Sequence, residues 1–357
     1  MLVPKLRFKE FNTKYKKYKI GDTLKVKSGK DQKLIECNNG KYPILGTGGQ
    51  IGTTNSFLYD KPSVLIGRKG TINKPQYMTT PFWTVDTLFY TDIKEEFNTK
   101  YIFYAFQNIN WKKYDESTGV PSLSCKTIEE ILYYIPNKDE QDKISTFITL
   151  LDKKIELQQR KVEALKIYKK GLIQNLKLTS QNWCEYKIIN LFKITRGQII
   201  PKSILKDSPN EEYKYPVYSS QTSNYGILGY DKTYDFDGKF LTWTTDGANA
   251  GKVFYRNGKF RCTNVCGILY SHKNSSYINL LTADLLNYET PKYVSYVGNP
   301  KLMNNVMADI KIRLPSLEIQ NKVSHIFSIF NNKLFIEENK LSNLNTLKKS
   351  LLQKMFI

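Results

Sequence analysis

The sequence predicts an α+β fold built twice: two pseudo-symmetric mixed α/β domains, each followed by a long helix, the two helices pairing as an antiparallel coiled coil. Three observations predict it. The chain carries an internal repeat at a fixed offset, each repeat ends in a stretch of apolar residues at helical spacing, and the remainder alternates short apolar runs with Gly, Asn and Asp turns. The length of 357 residues fits two domains at about 150 residues each.

The repeat is clearest in the tails. Pro136, Gln141, Leu165, Lys169 and Gln174 match Pro315, Gln320, Leu344, Lys348 and Gln353, always 179 residues on. Gly119-Val120-Pro121-Ser122-Leu123 aligns with Gly298-Asn299-Pro300-Lys301-Leu302 at the same offset. Further upstream Tyr42-Pro43-Ile44 aligns with Tyr215-Pro216-Val217, and Tyr18-Lys19-Ile20 with Tyr186-Lys187-Ile188, at drifting offsets. The globular parts therefore differ by loop insertions, while the tails match without gaps. The expected divisions are 1–136 and 179–315 for the globular domains, 137–178 and 316–357 for the helices.

In the first tail Ile144, Ile148, Leu151, Ile155, Gln158, Val162, Leu165, Lys169, Leu172 and Leu176 follow one another at steps of four and three. The second tail repeats the pattern with Val323, Phe327, Phe330, Leu334, Glu337, Leu341, Leu344, Lys348, Leu351 and Met355. Eight of ten are apolar in each, which is a coiled-coil seam. The polar breaks coincide, so an antiparallel pairing of the two copies would bring Gln158 near Glu337 and set the register. Pro136 with Asn137 and Glu140, and Pro315 with Ser316, mark the helix starts; Asn137 and Glu140 form a capping-box pattern. Asp139, Glu140 and Asp142 read as acids complementing the helix dipole. At about 1.5 Å per residue, positions 137–177 would span roughly 60 Å, more than the ~34–36 Å turn of B-DNA. Such a strut suits a divided recognition site.

The globular halves read as strand-rich. Ser63–Ile66, Thr84–Tyr90, Phe240–Thr244 and Val265–Tyr270 are apolar runs, helices are expected near 97–110 and 276–290, and Ile131–Ile135 and Ile310–Leu314 look like last strands. Trp83, Trp111, Trp183 and Trp243 read as core.

Charge points to the partner. Lys and Arg number 54 against 33 Asp and Glu, a net charge of +21 that attracts polyanions, double-stranded DNA first. No run of about 18 apolar residues suggests a membrane span. Five cysteines without disulfide-like spacing fit a reducing, cytoplasmic setting. Cys262 and Cys266 lack further zinc ligands nearby, His272 and His325 being badly placed, so no metal is expected.

Candidate DNA contacts lie on polar loops. Gly46–Gly52 reads as a loop too Gly-rich for a strand interior, with Gln50 free for a base edge. Gly67–Thr71 presents Arg68 for a base, with Lys69 and Lys74 for phosphates. In the second half Tyr218–Thr222, with Ser220 and Gln221, takes the first place. Thr244–Asn249, with Thr244, Thr245, Asn249 and then Lys252, takes the second. Loops that diverge on matched scaffolds are what two readers of different sequences need. No cofactor-binding glycine motif, Asn/Asp-Pro-Pro-aromatic loop or carboxylate cluster suggests catalysis in this chain.

These residues carry a family resemblance. Val3-Pro4-Lys5-Leu6-Arg7-Phe8, Tyr18-Lys19-Ile20-Gly21-Asp22 with Ser28-Gly29-Lys30, Thr195-Arg196-Gly197-Gln198, and the proline-to-glutamine segments Pro136–Gln141 and Pro315–Gln320 resemble type I restriction–modification specificity subunits. The family often has Trp near Tyr18 and Tyr186, which this chain lacks there. The resemblance implies two target recognition domains reading a bipartite site. It also implies helices that space the domains and dock two methyltransferase (modification) subunits, and restriction subunits beyond them. S-adenosylmethionine and ATP with magnesium would sit on those partners and no cofactor on this chain. A DNA methyltransferase or nuclease with unrecognised motifs, and a scaffold binding DNA without sequence preference, are the competing readings.

Overall fold

The computed structural model describes residues 3–178, 183–271 and 275–357. Thr179, the expected start of the second globular half, and His272 lie outside the described residues. The chain forms two compact units: Met1–Arg160 with Asn339–Ile357, and Lys161–Glu338. Each unit thus combines one globular half with pieces of both long helices, Lys138–Leu178 and Leu317–Met355.

Among the described residues the first unit holds three sheets. Lys16–Lys19 pairs antiparallel with Leu132–Ile135. A four-stranded sheet runs in the order Leu24–Lys27, Leu88–Ile93, Ser63–Gly67, Gln76–Met78, and a three-stranded one Gly49–Thr54, Tyr42–Gly46, Trp83–Thr84. The last pairing is parallel. The second unit repeats the plan. Cys184–Lys187 pairs with Lys311–Leu314, the four strands are Lys193–Arg196, Cys266–Tyr270, Lys239–Thr244 and Val253–Asn257, and the three are Ile227–Asp231, Tyr215–Tyr218 and Arg261–Cys262. Alternating burial in Leu24–Lys27 and Lys311–Leu314 gives each strand one apolar face for its core. The run Thr84–Tyr90 is two strands rather than one, because a turn at 85–87 carries the chain from one sheet to the other. Trp111 and Trp243 are fully buried core residues.

Each repeat opens with a glycine whose place is set by close packing. A Cβ on Gly29 would lie 2.0 Å from the Val85 carbonyl oxygen, and one on Gly197 2.0 Å from that of Cys262. The next amides, Lys30 and Gln198, donate to the Thr84 and Cys262 carbonyls at 2.9 and 3.0 Å. Only a residue without a side chain lets these backbones meet.

The proline-to-glutamine segment has an equally local cause. Gln141 and Gln320 are buried, and their amide nitrogens donate to the Pro136 and Pro315 carbonyls at 3.0 and 2.9 Å. The Gln141 oxygen accepts from the Asn98 backbone amide, and the Gln320 oxygen from the Asn279 side chain. Asn98 and Asn279 in turn cap the helices Thr99–Asn108 and Leu280–Glu289. One glutamine therefore ties the start of a long helix to the neighbouring cap. We predict that Gln320→Leu destabilises the second unit by about 1–3 kcal/mol for each buried group left unpaired. Urea unfolding would check it, and a change within about 0.5 kcal/mol would show that the tie is not needed.

Within each unit the long helices pack antiparallel. In the first, Ile144 and Ile148 share a core with Met355 and Phe356, and Lys348 pairs with Asp152 at 2.7 Å. In the second, Lys161 pairs with the buried Glu337 at 3.0 Å, and Lys169 donates to Asn331 at 2.8 Å. Every seam position is buried or half-buried in both helices, including Ile148, Leu151, Ile155, Gln158, Leu165, Phe327, Phe330, Leu334, Glu337 and Leu344. Lys169 and Lys348 occupy seam positions because each finds a polar partner there: Asp284 and Asn331 for the first, Asp152 for the second.

Glu140 departs from the expected role. It is fully buried, not a solvated dipole partner; its carboxylate receives Arg7 at 2.8 and 2.7 Å and the Tyr15 hydroxyl at 3.1 Å. Asn137 does cap the Glu140 amide at 3.1 Å. The reciprocal half of the capping box is not made, because the Glu140 side chain is committed to Arg7.

Candidate nucleic-acid interface

In the first unit the turn after Ser63–Gly67 is held from both sides. The Arg68 amide donates to the Thr87 carbonyl at 2.8 Å, and the Arg68 carbonyl accepts from Leu123 at 2.9 Å. The Gly70 amide, at φ +80°, donates to Pro121 at 2.8 Å. The backbone is thereby rigid while the Arg68 side chain stays half-exposed, its guanidinium 3.3 Å from the Asp86 carbonyl and 5.9 Å from the Phe89 ring centre. Lys69 and Lys74 are exposed beside it.

The second unit builds the same clasp. Gly247 donates to Pro300 at 2.9 Å and Leu302 to the Thr245 carbonyl at 2.9 Å. Thr245 thus takes the place of Arg68, and Asp246, bridged to Lys301, that of Lys69, which is bridged to Ser122. The clasping segments are the aligned Gly119–Leu123 and Gly298–Leu302, whose repetition was visible in the sequence without any sign of this role. The exposed Val120 sits in one of them and the exposed Val297 borders the other.

Several expected contacts are corrected. Thr244 and Thr245 are buried rather than exposed on a loop, the Thr244 hydroxyl donating to the Asn249 carbonyl and the Thr245 hydroxyl lying within hydrogen-bond distance of both the Asp246 carboxylate and the Val265 carbonyl. The strand Lys239–Thr244 ends at Thr244, which pairs with Cys266 in the sheet, and just beyond it the Thr245 amide donates to the Val265 carbonyl. Gln50 lies on the strand Gly49–Thr54, not in a loop. A register shift at Ile44/Leu45 and a turn with Gly49 at φ +115° absorb the glycines, leaving Gln50 exposed with its amide 3.3 Å from the Gly52 carbonyl. Gln221 is half-buried and tied to the Ile227 carbonyl. Ser220 is half-buried. The exposed Asn249 donates to Thr222 at 3.1 Å, which brings the two expected loops of this half together. Lys252 is exposed and lines a cavity bounded by the turn at 222–226 and the long helices.

Cys262 and Cys266 are buried with sulfurs 3.4 Å apart, and desolvation pushes the Cys262 thiol well up. Among the described residues no group of three or more His, Cys, Asp or Glu side chains is placed to hold a metal. Among them, too, no helix is long and apolar enough to cross a membrane.

The long helices carry a second apolar surface away from the seam. Phe147, Leu150 and Leu157 are exposed in the first unit, and Ile326, Ile329 and Ile336 in the second. The two sets match at the 179-residue offset, Leu150 being 59% and Ile329 60% exposed. Helical steps of three and seven put each trio on one face.

Comparison with known proteins gives a consistent picture. The model of the type I restriction modification DNA specificity domain matches residues 12–166 and again 180–346. A Mycoplasma pneumoniae protein named as a type I specificity subunit is 37% identical over 226 residues, covering 61% of this chain and 82% of its own. The specificity subunit of the type I restriction enzyme MpnII, from the same organism, is 42% identical over 146 residues, 41% of this chain and 43% of its own. The crystal structure of a type I restriction–modification S subunit from M. genitalium superposes with a TM-score of 0.73 over 100% of this chain and 99% of that one, at 17% identity, a likeness of fold.

Proposed function

The chain belongs to the type I restriction–modification DNA specificity family, and on that premise we propose that each half reads one part of a divided DNA site. The observation that carries this reading is the shared clasp with different chemistry on it. The first turn offers Arg68 to a base, with Lys69 and Lys74 for phosphates; the second offers the Asp246 acceptor and the Asn249 amide. Arginine forks onto guanine, aspartate accepts from cytosine and asparagine suits adenine, so the two turns favour different bases. Gln50 is the further candidate in the first half, and Ser220 and Gln221 support the second loop.

The globular halves 1–136 and 179–315 serve as target recognition domains, and the helices 137–178 and 316–357 as the spacer. The matched trios Phe147/Leu150/Leu157 and Ile326/Ile329/Ile336 dock two copies of one partner, the modification subunit, because exposed apolar surfaces that recur at the same offset suit the same kind of partner. Restriction subunits join that complex. S-adenosylmethionine and ATP with magnesium belong to the partners, and the assembly works in the cytoplasm.

Arg68→Ala in the assembled methyltransferase is expected to relax preference at one half-site by about 1–3 kcal/mol and leave the other untouched. Methylation of a library of duplexes varied at each half would measure it. Unchanged preference at both halves would remove Arg68 from base reading.

A further inference from the structure

Within the second unit a cavity of about 600 Å³ opens between the strand Val253–Asn257, the turn at 222–226 and the helices. Its charged lining is Lys166, Lys169, Lys252 and Arg256 against Asp284 and Glu338. Lys166 is committed to Glu338 and Lys169 to Asp284, both at 2.8 Å. Among the described residues neither Lys252 nor Arg256 forms an ion pair. Arg256 is only 6% exposed, its charge faced by the Tyr218 and Phe254 rings at 3.5 and 4.4 Å and its Nε donating to Thr242 at 3.1 Å. A buried guanidinium without a carboxylate is costly unless an anion arrives. Although Lys252 keeps solvent contact, desolvation pushes its ammonium below the ordinary lysine range against the attraction of Asp284, and Lys169 and Lys166 push the same way.

The wall of the cavity is strained. Asn224 and Tyr225 hold φ of 47° and 53°, left-handed conformations that non-glycine residues rarely adopt, followed by Gly226 at 84°. A Cβ on Gly226 would meet the Arg256 Nη2 at 2.9 Å, so the turn is closed down onto the guanidinium. Tyr225 is fixed in turn by Phe335, with ring centres 5.5 Å apart, and by Glu338 at 3.3 Å.

We propose that this cavity is a binding site for a phosphate-type oxyanion, held by Arg256 and Lys252. A tetrahedral oxyanion supplies the anionic partner that neither cation has among the described residues, and charge-assisted bonds to such a group are the strong ones. The site is independent of base reading at Arg68, so the two fail separately.

The test is calorimetric titration of inorganic phosphate into the full chain, with ionic strength held constant by chloride. Saturable binding of one phosphate is expected, weakened about tenfold or more by Lys252→Met and unchanged in the exposed Lys239→Met. Arg256→Met should abolish binding; if circular dichroism shows that it unfolds, Lys252→Met alone decides. A DNA duplex then identifies the source of the group. If saturating phosphate weakens duplex binding and Lys252→Met lowers the salt slope by about one, the oxyanion is a DNA phosphate. If duplex binding is unchanged by both, it is a free phosphate compound. Absence of saturable phosphate binding, or binding of equal strength in Lys252→Met, overturns the proposal.

Discussion

Arg7→Ala is expected to destabilise the first unit by about 3–5 kcal/mol, the cost of leaving a buried charge without its partner. Glu140 has no exposed surface, and Arg7 meets both of its oxygens. The same arginine donates to the Thr13 carbonyl and lies 5.2 Å from the Tyr15 ring centre, so its loss also frees the N-terminal segment. That segment is bound to the second long helix, where the Leu6 amide donates to the Lys354 carbonyl at 2.9 Å. A double variant, Arg7→Met with Glu140→Leu, should recover most of the loss, because an apolar pair of similar volume does not need the ionic partner. Urea unfolding of the three proteins measures this. An Arg7→Ala protein within about 0.5 kcal/mol of the parent would show that Glu140 finds water or another donor.

On the proposed docking role of the two apolar trios, Leu150→Glu and Ile329→Glu are each expected to remove one modification subunit from the complex. Both residues are exposed, so neither change should move the stability of the chain by more than about 0.5 kcal/mol. A carboxylate forced into an apolar contact loses its water without gaining a partner, and weakening by about 2 kcal/mol or more is expected at the docking face. The stoichiometry, read by native mass spectrometry, should fall from two partner subunits to one in either single variant and to none in the double variant. Retention of two copies in the double variant would place docking elsewhere on the chain.

The steps of four and three in the tails needed nothing but the sequence, because a helix places such residues on one side whatever surrounds it. The duplication was equally plain, since matched residues at one offset imply matched structure. The strands at the ends of both halves and the helices Thr99–Asn108 and Leu280–Glu289 followed from local periodicity as well. What the chain does with its polar residues was different. Thr244 and Thr245 resemble surface residues in sequence but are buried, Thr244 by pairing with Cys266 and Thr245 by backbone bonds with Val265 and Leu302. Glu140 sits in a helix start that suits a solvated acid, yet Arg7, 133 residues away, covers it. Arg256 lies in a short strand segment, and only the packing of Tyr218, Phe254 and Gly226 around it leaves its charge unpaired. Burial and pairing depend on contacts between distant segments, and no spacing rule within a segment encodes them. The sequence alone therefore determined the repeat, the helices and the kind of protein; the tertiary structure decided which polar side chains remain free to meet a partner.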